Sequence, residues 1–365
     1  MSLTSYQAAP PCIKGTHRSV HDFATVNGFL KNDSVSVGHS PERLVKLAHA
    51  WVCIFFRVFH RGQSMRKITP ALTIATFGEI LWDILPRGIF LGGAPFNVAY
   101  HLHTHGIHAL PISAVGHDFL GNEALLRITQ QKIDARFIPT LNDRPTGSVR
   151  ATLNAAGSAS YVFAKNTAWD HVPVTRELLN EPAPAALVFG TLALRNSANR
   201  RALATLCSTW KTTLRVLDLN LRPPFDQPAA ISFAIKLAQV IKLNDEELSR
   251  LTHLPVRTER QLKAATLALA KQLSCARLCV TAGARGAALL WDGSWHWENG
   301  RKIVVRDTVG AGDSFLGSLL TSLIAQHASP AAALARAARL GEFIASRDGA
   351  TPPYRINAQG LPVDA

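Results

Sequence analysis

Eight consecutive residues, Asp307-Thr308-Val309-Gly310-Ala311-Gly312-Asp313-Ser314, hold the densest chemistry in this 365-residue sequence. Gly310 and Gly312 let successive backbone N–H groups converge on one anion. A helix-compatible run to Gln326 follows and adds the positive end of its dipole. Asp313 falls in the first turn of that helix. A phosphate held there repels a carboxylate, so the natural task for Asp313 is to take the proton of an attacking hydroxyl. The bland alternative is a helix N-cap behind a glycine turn. A second paired-glycine turn, Gly92-Gly93-Ala94-Pro95-Phe96-Asn97, lets a small polar ligand approach the backbone, and Asn97 offers it both a donor and an acceptor. Asp83 stands at the mouth of the first apolar strand, where a carboxylate can accept two hydroxyls. Arg222, closing Asp218-Leu219-Asn220-Leu221-Arg222, brings a planar fork suited to phosphate. Asn244, followed by acids at 245, 246 and 247, reads by itself as a helix cap.

Together these segments resemble the ribokinase-like (PfkB) family of carbohydrate kinases, in consistent order over residues 71–353. DTVGAGDS is similar to the family's second signature, D-T-x-G-A-G-D, and GGAPFNVA to its first. The resemblance implies ATP-dependent phosphorylation of a sugar with Asp313 as the base. The amides of Ala311, Gly312 and Asp313, reached through Gly310, would form the anion hole. It implies sugar contacts at Asp83, Gly92, Gly93 and Asn97. Asn244 and Glu247, similar to an N-x-x-E pattern, would organise Mg²⁺-bound water and nucleotide phosphate. Thr281, Gly283 and Gly286 resemble the V-T-x-G-x-x-G segment beside the ATP. Asp307 and the carbonyl of Val309 correspond to ligands of a monovalent cation such as K⁺. GEILWDILP and D-x-N-x-R look fructokinase-like, which points to fructose; ketodeoxygluconate, another sugar and a nucleoside are the alternatives. Lys165 stands where a fructokinase stretch has arginine and replaces a bidentate contact by a point charge. Ala345-Ser346-Arg347-Asp348-Gly349-Ala350-Thr351-Pro352 is similar to the closing R-x-G-A-x-P turn. A homodimer paired through lids is also implied. The rival from another class is a kinase-like binding protein without turnover.

The elements that must position these residues alternate. Strands are expected at 72–77, 108–115, 186–189, 214–218, 240–243 and 276–281, with helices at 97–105, 119–131, 198–210, 260–272 and 311–326. Such alternation predicts an α/β fold, a mostly parallel sheet covered on both faces, with its site at the carboxyl ends of the strands. Residues 146–163 alternate in the β manner around a turn at 154–157. They suggest a hairpin that joins residues 84–92 in a small β lid.

The net charge of +14 is spread without basic runs, which favours anionic small molecules such as ATP over nucleic acid. No stretch reaches the length of a membrane span. Five unpatterned cysteines fit reduced thiols in the cytoplasm. Residues 1–64 lack periodicity and read as a dispensable extension before a catalytic domain at 65–365. His101 and His105 share a helical face, but nothing completes a metal set, so they read as polar surface.

Overall fold

A computed structural model describes residues 72–85, 88–153 and 159–365 of the chain. The expectations for residues 1–64 and for the turn at 154–157 lie outside the described residues. Twelve strands matter here: β1 (Thr73–Phe77), β2 (Leu81–Leu85), β3 (Gly88–Gly92), β4 (His108–Ile112), β5 (Gly147–Leu153), β6 (Ala159–Phe163), β7 (Ala186–Gly190), β8 (Leu214–Asp218), β9 (Val240–Asn244), β10 (Arg277–Thr281), β11 (Gly286–Trp291) and β12 (Ser294–Asn299). The helices that cover them are α1 (Ala94–Thr104), α2 (Phe119–Gln130), α3 (Ser197–Thr209), α4 (Pro228–Leu237), α5 (Asp245–Thr252), α6 (Glu259–Leu273), α7 (Ala311–Leu320) and α8 (Pro330–Ala345).

Eight strands form one sheet in the order β12-β11-β10-β9-β8-β7-β1-β4. The pairs from β4 to β10 are parallel, and the β10–β11 and β11–β12 pairs are antiparallel. Side-chain alternation along each strand feeds two cores. Ala75, Leu187, Leu217 and Ile241 pack with Leu203, Ala234, Leu248 and Leu262 of α3 to α6. Their neighbours Ile74, Val188, Val216 and Val240 pack with Val98 and Leu102 of α1 and Leu316 and Leu320 of α7. Leu217 is fully buried, so truncating it to Ala would cost about 2–5 kcal/mol. Both faces are covered, as the alternation requires.

A second sheet, β3-β2-β5-β6, is the lid. The β5–β6 hairpin is antiparallel, and β2 pairs in parallel with β5 from Leu81–Gly147 to Ile84–Arg150. The segment around Asp83 therefore joins the hairpin, as the sequence suggests.

Some boundaries differ. The strand expected at 108–115 stops at Ile112, because the Ser113 amide donates to the Phe137 carbonyl at 3.1 Å and its hydroxyl to the Gly78 carbonyl at 2.6 Å. The helix expected to run to Gln326 leaves α geometry at Thr321, in a π turn over Thr321–Ala325. The β11–β12 hairpin was missed, although Asp292-Gly293 between two apolar runs is a hairpin signal. Among the described residues no helix is long and apolar enough to cross a membrane.

Candidate active site

The carboxyl ends of the parallel strands open into a cavity of about 610 Å³. Glu79 enters it just past β1, Asp218 ends β8, Lys242 and Asn244 come from β9, and Thr281 ends β10. Gly310, Gly312 and Asp313 close it from the start of α7, Gly93 and Asn97 from the start of α1. The lid contributes Leu81, Asp83, Val149 and Phe163. Its walls carry five carboxyl groups, at 79, 83, 218, 247 and 313, against two cations, Arg222 and Lys242. The net positive charge of the chain thus does not extend into its cleft.

Asp313 is 8% exposed, and the Asn97 Nδ2 donates to its Oδ2 at 2.7 Å. Burial, then repulsion from Asp218, pushes its carboxyl up to about 6; Lys242, Asn97 and Arg222 oppose the rise. Such a group is a carboxylate at neutral pH and still a usable proton acceptor. Glu79, 4% exposed, is pushed up to about 7, mainly by burial. Its Oε2 and the Asn97 Oδ1 are buried without a protein partner and belong to residues of the cavity wall. Buried polar atoms of this kind at a cavity wall can pair with water or with a hydroxyl-bearing ligand. Sequence reasoning missed Glu79. Its only cue is the step from the Gly78 turn into the cleft.

Gly93 has φ 111°, and a Cβ there would clash with the Glu79 carbonyl. Gly310 is the N-cap of α7 at φ 77°, its Cα face pressed on the Ala350 backbone. Both positions exclude any side chain. The start of α7 leaves the N–H groups of Gly312 and Asp313 without intrahelical acceptors. Ala311 differs from expectation: its N–H donates to the Thr308 carbonyl at 3.3 Å. Of the three amides expected to cradle an anion, those of Gly312 and Asp313 are thus the two left without a backbone acceptor among the described residues.

Asn244 and Glu247 form a capping box. Asn244 Oδ1 accepts from the Glu247 amide and Glu247 Oε2 from the Asn244 amide, each at 2.8 Å, while Glu247 Oε1 accepts from the Leu221 amide at 2.6 Å. The cap reading is thus satisfied. Glu247 lines the cavity with each of its oxygens already accepting one backbone N–H, a donor set that fits contact with Mg²⁺ through water rather than direct ligation. Asp307 Oδ1 accepts from the Val309 amide and Oδ2 from the Gly349 amide, both at 3.1 Å. It clamps the 307–313 loop to the turn at 345–350.

Other expected site residues stand elsewhere. Lys165 is exposed and does not line the cavity. Gly92 lies behind Asp83, where a Cβ would meet the Asp83 Oδ2 at 2.6 Å. Gly283 and Gly286 sit outside the wall, and Gly286 is packed against the backbone of residues 298–300. His101 is fully buried rather than a surface residue. Its Nε2 lies 3.0 Å from the Ala350 carbonyl and its Nδ1 2.9 Å from the Tyr354 hydroxyl. A carbonyl only accepts, so the proton is on Nε2 and Nδ1 accepts from the tyrosine. Burial holds the ring neutral, down at about 3.

The chain is similar to known proteins. Fructokinase of Escherichia coli is 29% identical over 262 residues, covering 67% of this chain and 82% of that protein. The structure of a Xylella fastidiosa fructokinase with bound ATP superimposes with a TM-score of 0.66 at 22% identity, covering 76% of this chain and 94% of the other. A double mutant of Vibrio cholerae fructokinase, bound to fructose, ADP and potassium ion, gives 0.64 at 24% identity, with 77% and 94% covered. Residues 88–357 match the sequence profile of pfkB family carbohydrate kinases. The profile takes in both glycine turns, the strand ends between them and Asp313, so the chain belongs to the pfkB family of carbohydrate kinases and is a sugar phosphotransferase.

Proposed function

We propose that the protein transfers the γ-phosphoryl group of ATP to a hydroxymethyl group of a small sugar, fructose first among them, with Asp313 as general base. One observation carries the assignment: Asp313 is buried at the start of α7, beside free amide hydrogens, and bonded to Asn97 of the opposite glycine turn. The sugar is bound by Asp83, Asn97, Glu79 and the backbone at Gly93. Its reacting hydroxyl gives its proton to Asp313 as the O–P bond forms. The bond between the β,γ-bridging oxygen and the γ-phosphorus breaks, and ADP leaves with that electron pair. The amides of Gly312 and Asp313 stabilise the charge on the equatorial oxygens. Arg222 steadies the phosphates, and the apolar lid residues Val149 and Phe163 exclude water from the reacting oxygen.

Asn244, Glu247 and Thr281 face the nucleotide side. Mg²⁺, held through water on Glu247, supplies neutralising charge to the phosphates when bound. Asp307 and the Val309 carbonyl supply oxygen donors for a monovalent cation, and the potassium of the Vibrio cholerae structure favours K⁺. The outward row Ile89-Ile84-Arg150-Val162 crosses the lid with Ile89 and Val162 exposed, which supports pairing of two lids in a homodimer.

The test is a panel of sugars and nucleosides with MgATP, scored by ADP release and by phosphorus NMR of the product. Fructose 1- or 6-phosphate, with none of the nucleosides phosphorylated, is the expected result. ATP binding without phosphorylation of any acceptor would overturn the reading in favour of a protein that binds without turnover.

A further inference from the structure

The floor of the cavity holds an ion pair to which neither the motifs nor the resemblance assigns a role. Lys242 Nζ lies 2.8 Å from Asp218 Oδ2 and 3.0 Å from Oδ1, and the two side chains are 9% and 5% exposed. The residues belong to neighbouring strands, paired in register as Asp218 opposite Lys242. A purely structural pair of this kind is on average no better than two apolar side chains, because desolvation offsets the attraction. This one is not in the core. Both residues line the cavity, and the ammonium lies directly beneath the start of α7. A Cβ at position 312 would stand 2.9 Å from Nζ, so the ammonium sits against the backbone at Gly312.

The charge balance of the site gives the pair a task. A transferring phosphoryl group at Gly312 would sit beside Asp313 and close to Asp218, two carboxylates that repel it. The cavity offers Arg222 and Lys242 as its cations. Lys242 is the one at the cradle. Desolvation opposes its charge, but attraction by Asp218 and Asp313 outweighs that, so the ammonium stays protonated at any working pH. With two N–H groups directed to Asp218, a third remains for a ligand oxygen.

We propose that Lys242 is a catalytic residue that donates a charge-assisted hydrogen bond to the transferring phosphoryl group, and that Asp218 is the positioning residue that holds its ammonium under Gly312. The inference rests on the kinase reading above. Lys242 keeps its proton throughout: the sugar's proton goes to Asp313 and the electron pair of the broken P–O bond to ADP.

Removing Lys242 alone strands a buried Asp218, so the informative variant is the neutral amide pair Lys242→Gln/Asp218→Asn, which keeps a hydrogen bond between the strands. It is assayed at about pH 8, where Asp313 is ionised. A fixed donor to developing charge is worth about 10²–10³ in kcat. We expect kcat to fall at least about 100-fold, with the KM of sugar and ATP within about threefold. Calorimetry supplies a readout independent of turnover. In the wild type, aluminium fluoride added to ADP and sugar should tighten ADP binding, because it mimics the transferring group, and the neutral pair should lose that gain. If the pair variant does not fold, Asp218→Asn alone, which loosens the ammonium from its place under Gly312, should lower kcat at least about tenfold and weaken the fluoride gain. A pair variant within threefold of wild-type kcat, an undiminished fluoride gain, or wild-type kcat in Asp218→Asn would each overturn the proposal. A wild-type protein that phosphorylates no sugar would instead overturn the kinase reading itself.

Discussion

Asn97 and Asp313, 216 residues apart in sequence, are joined by a 2.7 Å hydrogen bond from the amide Nδ2 to the carboxylate Oδ2. The bond locks the base against the sugar turn and leaves the Asn97 Oδ1 unpaired and buried. In the proposed function, this bond makes substrate recognition and proton abstraction mechanically one unit.

Asp313→Asn removes the proton acceptor while keeping the volume and a hydrogen-bonding group toward Asn97. The expected loss is at least 10³ in kcat, with ATP affinity by calorimetry changed less than about threefold. A loss under tenfold would sink the base assignment.

The acid limb of kcat against pH reports the same group. With the Asp313 carboxyl at about 6, the rate should fall about tenfold per pH unit below that value and level off above about 7. A limb near 4 would mean that the base lies elsewhere.

Stability should run opposite to activity. Asp313 and Glu79 are raised from 3.8 to about 6 and from 4.5 to about 7, so the folded protein holds their protons more tightly than the unfolded chain. Their stabilising contribution is complete below about pH 4 and is lost as pH rises through about 6 to 7. Each burdens the fold by up to about 3 kcal/mol at pH 8. Glu79→Gln and Asp313→Asn should therefore raise Tm by a few degrees at pH 8 and leave it unchanged near pH 4. Scanning calorimetry at the two pH values decides.

Asp83→Asn should raise the KM for sugar at least tenfold and leave the KM for ATP in place, since Asp83 comes from the lid strand β2 whereas Asn244 and Thr281 end β9 and β10 of the large sheet. Unchanged sugar KM would remove Asp83 from the site.

Gly310→Ala forces a methyl into the Ala350 backbone at a φ of 77°. It should destabilise the protein by about 1–3 kcal/mol and depress kcat at least tenfold through the displaced amides of Gly312 and Asp313. A variant that loses stability but keeps kcat would separate the turn from the cradle.

The sequence by itself determined the parallel sheet, the lid hairpin and the two glycine turns. Strand alternation, Gly-Gly and Gly-Ala-Gly-Asp are local patterns whose physics needs no distant partner. Asp313, Asn97 and Asp83 were legible as residues of the cavity wall for that reason. Lys165 was not, because whether an exposed lid side chain reaches the cleft depends on how β6 leaves the hairpin. Gly283 and Gly286 carried a local pattern, yet neither lines the cavity, and Gly286 is packed against the backbone of residues 298–300. Burial decided the rest. Glu79 looks like a surface acid and His101 like a surface imidazole until α1 and the C-terminal turn enclose them. Lys242 looks like one more solvated lysine until β8 sets Asp218 beside it. Charge, protonation and partnership follow from what excludes water, and that is settled only when segments hundreds of residues apart are packed together.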